Sequence, residues 1–166
     1  CDLQFGDLKE LLGKKNTVTV DDVIGEPSIV TKVAQEASSD CPALIAAPPR
    51  LESSEILGNH IGVVIDECTK FFDNIIINTG SCWTETHAVL LEQSTSIIFL
   101  IDQRASSIYA AKHAIELCQR LGIAMGSFVY CLNRCAKNAL FSGMDIACVM
   151  NGAQVLELKD GGVEVE

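Results

Sequence analysis

Short apolar runs alternate with longer segments of mixed polarity along most of the chain. The clearest runs are residues 43–47, 74–78, 97–101 and 128–132, and a shorter one follows at 154–158. Nearly uninterrupted apolar runs of this length are typical of strands buried on both faces of a parallel sheet. We therefore expect each of these runs to form a strand.

The segments around these runs carry apolar residues at helical spacing. One example places Ile61, Val64, Ile65 and Cys68 on a single stripe, with Asp66 on the polar side. Helices are predicted at 7–12, 20–24, 29–37, 53–72, 84–93, 106–121 and 142–150. Strands that alternate with helices predict right-handed crossovers, and hence an α/β class with three layers and a mostly parallel sheet flanked by helices.

Composition and charge narrow this picture. The chain has 166 residues, of which 48% are hydrophobic and only 5% aromatic, so we expect one domain over residues 1–166 with an aliphatic core. Its formal net charge is −10, and its twelve Lys and Arg residues are scattered. A direct nucleic-acid partner is therefore not expected, because such binding depends on clustered basic residues.

The cysteines and the ends of the chain bear on its location. Eight cysteines show no framework spacing, and the one close pair, Cys131 and Cys135, lacks further ligands at zinc-site spacing. We expect reduced thiols in a cytoplasmic protein without a transmembrane segment, because no apolar run approaches a membrane span. The abrupt, motif-like start at Cys1 leads us to expect residues before it, so that the chain is a fragment of a longer protein.

Candidate chemistry is restricted by the expected topology. In an open parallel sheet, ligands bind beyond the carboxyl ends of the strands. The polar segments that follow the predicted strands or open the chain are 2–4, 48–50, 78–81, 102–104 and 133–134.

Several of these segments together carry a resemblance. Residues 1–7 read C-D-L-Q-F-G-D, residues 72–79 read F-D-N-I-I-I-N-T, residues 132–134 read L-N-R, and residues 46–49 read A-A-P-P. The pattern resembles the MinD/ParA family of deviant Walker ATPases, which have a P-loop NTPase fold, over nearly the whole chain. The first segment is similar to the D-L-D-L-Q-F-G-D of the TadZ/CpaE pilus-assembly branch, and the second to the family strand F-D-x-I-I-I-D-T.

The resemblance implies roles for six positions. Asp2 corresponds to an acidic residue of the first switch, near the attacking water and magnesium, and is the candidate catalytic residue. Asn78 stands at a magnesium position, which gives Asn78 and Asp2 as candidate metal ligands. Thr79 and Gly80 fall in the second switch, and Asn133 and Arg134 in the adenine segment, so these four are candidate nucleotide-binding residues.

The resemblance also implies cofactors and partners. These are ATP or ADP with Mg²⁺, a second copy of the chain in an ATP-dependent homodimer, the pilus secretion ATPase and the membrane assembly machinery. The implied place of action is the cytoplasm, at the inner face of the membrane or at a cell pole. Hydrolysis is expected to be weak or absent.

The sequence departs from the family pattern at two points. It contains no G-x-x-x-x-G-K-[ST] loop, which in this fold we expect before Asp2 together with a first strand and helix. Nucleotide and Mg²⁺ are therefore expected only if that loop is supplied. The second departure is Asn78, because a neutral amide cannot attract magnesium as a carboxylate does.

Other interpretations remain open. One alternative is a pseudo-ATPase that serves as a scaffold. A second is an unrelated Rossmann-like small-molecule enzyme, although the chain has no G-x-G-x-x-G motif to support it. Asn78 and Asn133 could instead close turns or cap helices, and Arg104 and Arg134 could be surface residues. Trp83 marks an interface if exposed and only packs if buried.

Overall fold

The computed structural model describes residues 2–4, 6–15, 17–36, 42–136 and 138–161. It divides into two compact units, Cys1–Leu90 and Leu91–Glu166. Each unit has a hydrophobic core of its own.

The first unit is mainly helical. Its elements are α1 (Leu8–Leu11), α2 (Val20–Gly25), a 3-10 turn (Pro27–Ile29), α3 (Val30–Glu36), α4 (Ser53–Gly58) and α5 (Ile61–Cys68), and α6 (Glu85–Gln93) begins there. The predicted helix at 53–72 is two helices, because the N–H of His60 bonds the carbonyl of Leu57 at 2.9 Å in a tight turn between them. The break lets Leu57 and Ile61 both reach the core, at 7% and 2% exposure.

A capping box begins α2. The backbone N–H of Thr19 donates to Oδ2 of Asp22 at 2.9 Å, and the Thr19 hydroxyl donates to the same oxygen at 2.7 Å. The bonds satisfy polar groups that a helix start would leave unpaired. The helix thereby directs Val20 and Val23 into the core against α5.

The predicted strands at 43–47 and 74–78 are wrong for the described residues of this unit. Ala46 forms a single parallel bridge to Thr19, through bonds to Val18 and Val20, and residues 74–78 belong to no strand. Ile76 is 95% exposed. An apolar run becomes a strand only when a neighbouring strand pairs with its backbone, and these segments lack that ladder.

The second unit contains the parallel sheet. Its elements are β1 (Ile97–Ile101), α7 (Ala105–Arg120), a 3-10 turn (Met125–Ser127), β2 (Phe128–Cys135), α8 (Gly143–Val149) and β3 (Val155–Lys159). The strand order is β1-β2-β3, with both pairs parallel, and Leu100, Cys131 and Leu156 are in register. The α/β prediction of a parallel sheet flanked by helices is confirmed.

One face of this sheet carries the core of the second unit. Helices α7 and α8 cover it, and Leu132, Ile146 and Cys118 are fully buried between sheet and helices. The other face has exposed apolar side chains. These are Ile98, Leu100, Leu156 and Leu158, with exposures of 69%, 60%, 48% and 50%.

Candidate functional site

Asp2 and the segment after residues 74–78 are in direct contact. The backbone N–H of Asp2 donates to the carbonyl oxygen of Asn78 at 2.9 Å. A β-carbon on Gly80 would lie 3.5 Å from both Cγ and Oδ2 of Asp2, so the backbone of Gly80 faces the carboxyl group. The structure thus brings together Asp2, Asn78 and Gly80, three of the residues singled out from the sequence.

Gly6 makes this arrangement possible. A β-carbon there would lie 2.7 Å from the carbonyl oxygen of Asp2 and 2.9 Å from Cβ of Ala47, closer than side chains tolerate. Only glycine therefore fits at position 6, between the carbonyl of Asp2 and the side chain of Ala47. The sequence comparison included Gly6 in its motif without giving it this role.

Asn78 and Thr79 present their side chains to solvent, since both residues are exposed. The carbonyl of Asn78 is engaged by Asp2, and the Oδ1 atom of Asp2 accepts a bond from the N–H of Gln4 at 3.3 Å. Carboxylate, amide and hydroxyl oxygens thus lie on one short stretch of surface.

His87 ties the loop after Gly80 to α6. Its Nε2 atom lies 3.2 Å from the carbonyl oxygen of Gly80, and its Nδ1 atom lies 3.1 Å from the hydroxyl of Thr84. Its ring stacks on Trp83, with centroids 5.9 Å apart and planes at 24°. Trp83 is 36% exposed, so the indole is partly available at the surface.

In the second unit, Asn133 and Arg134 lie at the irregular end of β2. The Oδ1 atom of Asn133 accepts a bond from the N–H of Arg134 at 3.0 Å, and Arg134 has a positive φ of 55°. This bond is a local turn interaction, the alternative to nucleotide binding that the sequence leaves open for Asn133. The Asn133 amide nitrogen is not engaged by that bond.

The same end of the sheet is held by Gln103. Its amide nitrogen donates to the carbonyl of Phe141 at 2.8 Å, and its amide oxygen accepts the N–H of Ala136 at 2.7 Å. One side chain therefore fixes both sides of the segment after Arg134. The sequence placed Gln103 in the candidate segment 102–104 but did not reveal this role, because its two partners are more than thirty positions away.

Arg104 is paired within its own loop. Its Nε atom donates to Oδ2 of Asp102 at 2.8 Å. This hydrogen bond holds the pKa of Asp102 below its ordinary value, and the bond from the Arg104 backbone N–H acts in the same direction. Arg104 therefore pairs with Asp102 on the surface of this structure, as expected if Arg104 is a surface residue without a role in ligand binding.

A cavity of about 260 Å³ in the first unit adjoins Asp2. Its lining is mostly apolar, with Ile45, Phe72 and Ile77 among its walls, and Asp2 and Lys9 are the charged residues among those that line it. Lys9 is the one cationic side chain among these lining residues, so a polyphosphate would lose its hydration there with little compensation. The polar surface at Asp2 and Gly80 is thus the better candidate for a charged ligand.

Comparison with known proteins gives a result at the level of structure. No family description matches the chain, and no curated protein matches it. A ParA family ATPase from Chlorobium tepidum TLS superposes with a TM-score of 0.76 at 18% identity, over 97% of this chain and 70% of that one. The chain has a MinD/ParA-type fold.

A second solved structure agrees. The MinC:MinD cell division protein complex from Aquifex aeolicus matches with a TM-score of 0.67 at 16% identity, over 99% of this chain and 69% of that one. At such low identity the likeness concerns the fold. None of the helices in the described ranges has the length and apolar character needed to cross a bilayer.

The oxygen donors around Asp2 can be tested against the ligands that Mg²⁺ prefers. No group of three His, Cys, Asp or Glu side chains in the described part of the chain could hold a metal ion by itself. Mg²⁺ commonly uses one or two carboxylates and takes its remaining ligands from water and phosphates. Asp2, whose backbone N–H bonds the carbonyl of the exposed Asn78 next to Thr79, fits such a shared site.

The described residues give less support for binding the phosphate groups of a nucleotide. The sequence as given has no G-x-x-x-x-G-K-[ST] loop, whose N–H groups and ammonium would surround the phosphates. The residues present therefore fit the metal-facing side of a nucleotide site better than the phosphate-binding side.

Proposed function

We propose that this chain is part of a MinD/ParA-like nucleotide-binding factor that localises and assembles a Tad-type, type IV-like pilus secretion system. It dimerises with ATP and hydrolyses it weakly or not at all. The observation that carries the proposal is the contact of Asp2 with Asn78 and Gly80. It joins, within a MinD/ParA-type fold, the two segments that resemble the switches of TadZ/CpaE proteins.

In this proposal each residue has a physical task. Asp2, helped by the amide oxygen of Asn78, holds Mg²⁺ and orients water, while Thr79 and Gly80 face the phosphates. Mg²⁺, when bound, neutralises charge on the phosphates. Asn133 hydrogen-bonds the adenine through its amide nitrogen, and Arg134 contributes positive charge.

Weak hydrolysis follows from the charge of the site. A carboxylate at position 78 would attract Mg²⁺ by Coulomb interaction, whereas the amide offers only a dipole. Asp2 is then the one carboxylate of the proposed metal site. The site is suited to binding and dimer control more than to rapid turnover.

The partners proposed are a second copy of the chain, the pilus secretion ATPase and membrane-bound assembly proteins, in the cytoplasm at the membrane surface or a cell pole. The MinD of the second solved structure was found in complex with MinC. That complex supports a partner-binding role for the fold. The net charge of −10 disfavours direct binding to nucleic acid.

The test is equilibrium binding of a fluorescent ATP analogue to the natural gene product, with and without Mg²⁺, together with its mass in solution. We expect Mg²⁺-dependent binding and a nucleotide-dependent dimer. Asp2→Asn should weaken binding about tenfold, the scale of one charged metal ligand. Asp66→Asn, an exposed carboxylate on α5, is the matched control and should leave binding unchanged. Binding unaffected by Asp2→Asn, or no binding at all, would overturn the proposal.

The neutral Asn78 favours a second candidate, a pseudo-ATPase scaffold that binds nucleotide or none and never turns it over. The distinguishing variant is Asn78→Asp. ATP turnover that appears in this variant identifies Asn78 as the cause of a silenced enzyme. Tight binding with no turnover in either form supports a scaffold whose inactivity has another cause.

A further inference from the structure

The loop at residues 80–84 is held at both ends by one side chain. His87, on the first turn of α6, lies 3.2 Å through Nε2 from the carbonyl oxygen of Gly80. Through Nδ1 it accepts the backbone N–H of Thr84 at 3.3 Å and lies 3.1 Å from the Thr84 hydroxyl. The imidazole therefore spans the 80–84 loop from its first residue to its last.

These partners assign the tautomer of the ring. The carbonyl of Gly80 can only accept a hydrogen bond, so Nε2 must carry the hydrogen. The backbone N–H of Thr84 can only donate, so Nδ1 must be without one. Both bonds exist together only in the neutral imidazole with its hydrogen on Nε2.

The ring is itself held in place. The stack on Trp83 limits rotation of the imidazole. The backbone N–H of His87 donates to the carbonyl of Thr84 at 3.0 Å. His87 is half-buried while Thr84 is exposed. A ring fixed from two sides can transmit the position of α6 to Gly80.

We propose that His87 is a positioning residue, which through its Nε2–H bond keeps Gly80 facing the carboxyl group of Asp2. The inference rests on the proposed function only where nucleotide binding is the readout. Without the bond, the carbonyl of Gly80 turns to water and the loop can move away from Asp2. The phosphate-facing stretch at Thr79 and Gly80 then loses its fixed geometry.

Three variants separate the two hydrogen bonds. His87→Gln can donate from its amide nitrogen near the Nε2 position, His87→Asn can accept the Thr84 N–H near the Nδ1 position, and His87→Phe keeps the stack and makes neither bond. If the Gly80 bond is decisive, the Gln variant behaves like the wild type. The Asn and Phe variants then share one defect.

Trp83 is the only tryptophan of the chain and reports on the loop directly. In the natural gene product, a tryptophan elsewhere would first be replaced by Phe. We expect acrylamide quenching of Trp83 to be higher in the Phe variant than in the wild type, both of which keep the stack, and higher in the Asn variant than in the Gln variant, both of which lose it. Nitrogen-15 NMR of the His87 ring should show the Nε2–H tautomer. An Nδ1–H tautomer, or equal quenching in all four proteins, would overturn the proposal.

Nucleotide affinity gives the second readout. Loss of one oriented hydrogen bond should weaken binding of the ATP analogue about fivefold in the Asn and Phe variants, and less than twofold in the Gln variant. If the natural protein binds no nucleotide, the proposed function fails, while quenching and NMR still decide the role of His87. Equal affinity in all variants that bind nucleotide would contradict the positioning role.

Discussion

The carboxyl group of Asp2 lies against the backbone of Gly80, 3.5 Å from the point that a β-carbon there would occupy. That separation is an ordinary van der Waals contact, so the glycine is not required by space.

Gly80→Ala should therefore leave the fold intact and change the function. We expect the free energy of unfolding to shift by less than about 0.5 kcal/mol, as for most surface substitutions. The added methyl group shields one side of the Asp2 carboxylate, and Mg²⁺-dependent nucleotide affinity should fall about fivefold. Urea unfolding and fluorescent-ATP titration measure the two effects. Unchanged affinity would show that Mg²⁺ does not use this side of Asp2.

Gly6→Ala should destabilise the first unit, because its β-carbon meets the Asp2 carbonyl at 2.7 Å and the Ala47 side chain at 2.9 Å. Overpacking of this kind costs about 1–3 kcal/mol. The matched control is Gly25→Ala at the end of α2, where a β-carbon meets nothing within 4 Å. Urea midpoints of the three proteins test this. Equal midpoints would mean that Gly6 does not lie this close to Asp2 and Ala47.

Leu132→Ala and Leu100→Ala remove the same side-chain atoms from two neighbouring strands, on opposite faces of the sheet. Leu132 is fully buried under α7 and α8, and its removal should cost about 2–5 kcal/mol. Leu100 is 60% exposed on the other face, so its removal should cost less than about 1 kcal/mol. Chemical unfolding followed by circular dichroism compares them. Similar losses would show that the face with Leu100 is covered in solution.

Asp22 should make the first unit sensitive to acid. Hydrogen bonds from the hydroxyl and then the N–H of Thr19 lower the pKa of Asp22 in the folded chain below its ordinary value of 3.8. Since the unfolded chain binds this proton first, the stabilisation is present above about pH 4 and is lost as the pH falls through the lower, folded value.

The measurement is urea unfolding of wild type and Asp22→Asn between pH 7 and pH 2. The stability advantage of the wild type should be constant down to about pH 4 and shrink below it. Asp66→Asn controls for the removal of an exposed charge. An advantage that grows on acidification would contradict the capping geometry.

Much of the second unit could be predicted from the sequence, because its signals are local. The apolar run at 97–101 is β1 to the residue, and the helix expected at 106–121 is Ala105–Arg120, ending where Gly122 adopts a φ of +76°. Both signals, the periodic burial of apolar residues and a glycine that ends a helix in the left-handed conformation, can be recognised within a few residues of sequence.

The first unit shows why other elements could not be predicted. Residues 74–78 have the same apolar pattern as β1, yet pairing depends on a neighbour elsewhere in space. Family resemblance gave Asp2 and Gly80 separate roles, in metal binding and in nucleotide binding, and predicted no contact between them. The roles of His87, Gly6 and Gln103 arise from partners that spacing along the chain does not reveal, and the roles of Asn133 and Arg134 in nucleotide binding stay predictions.

The exposed sheet face of the second unit has a practical consequence. Ile98 and Leu100 are exposed on β1, an edge strand without charged residues. Such a strand favours self-association of the chain. The net charge of −10 opposes this through repulsion, and added salt screens repulsion beyond about 10 Å at 0.1 M. Colloidal stability should therefore fall as ionic strength rises, and dilute, low-salt buffers are the conditions in which the protein will keep best.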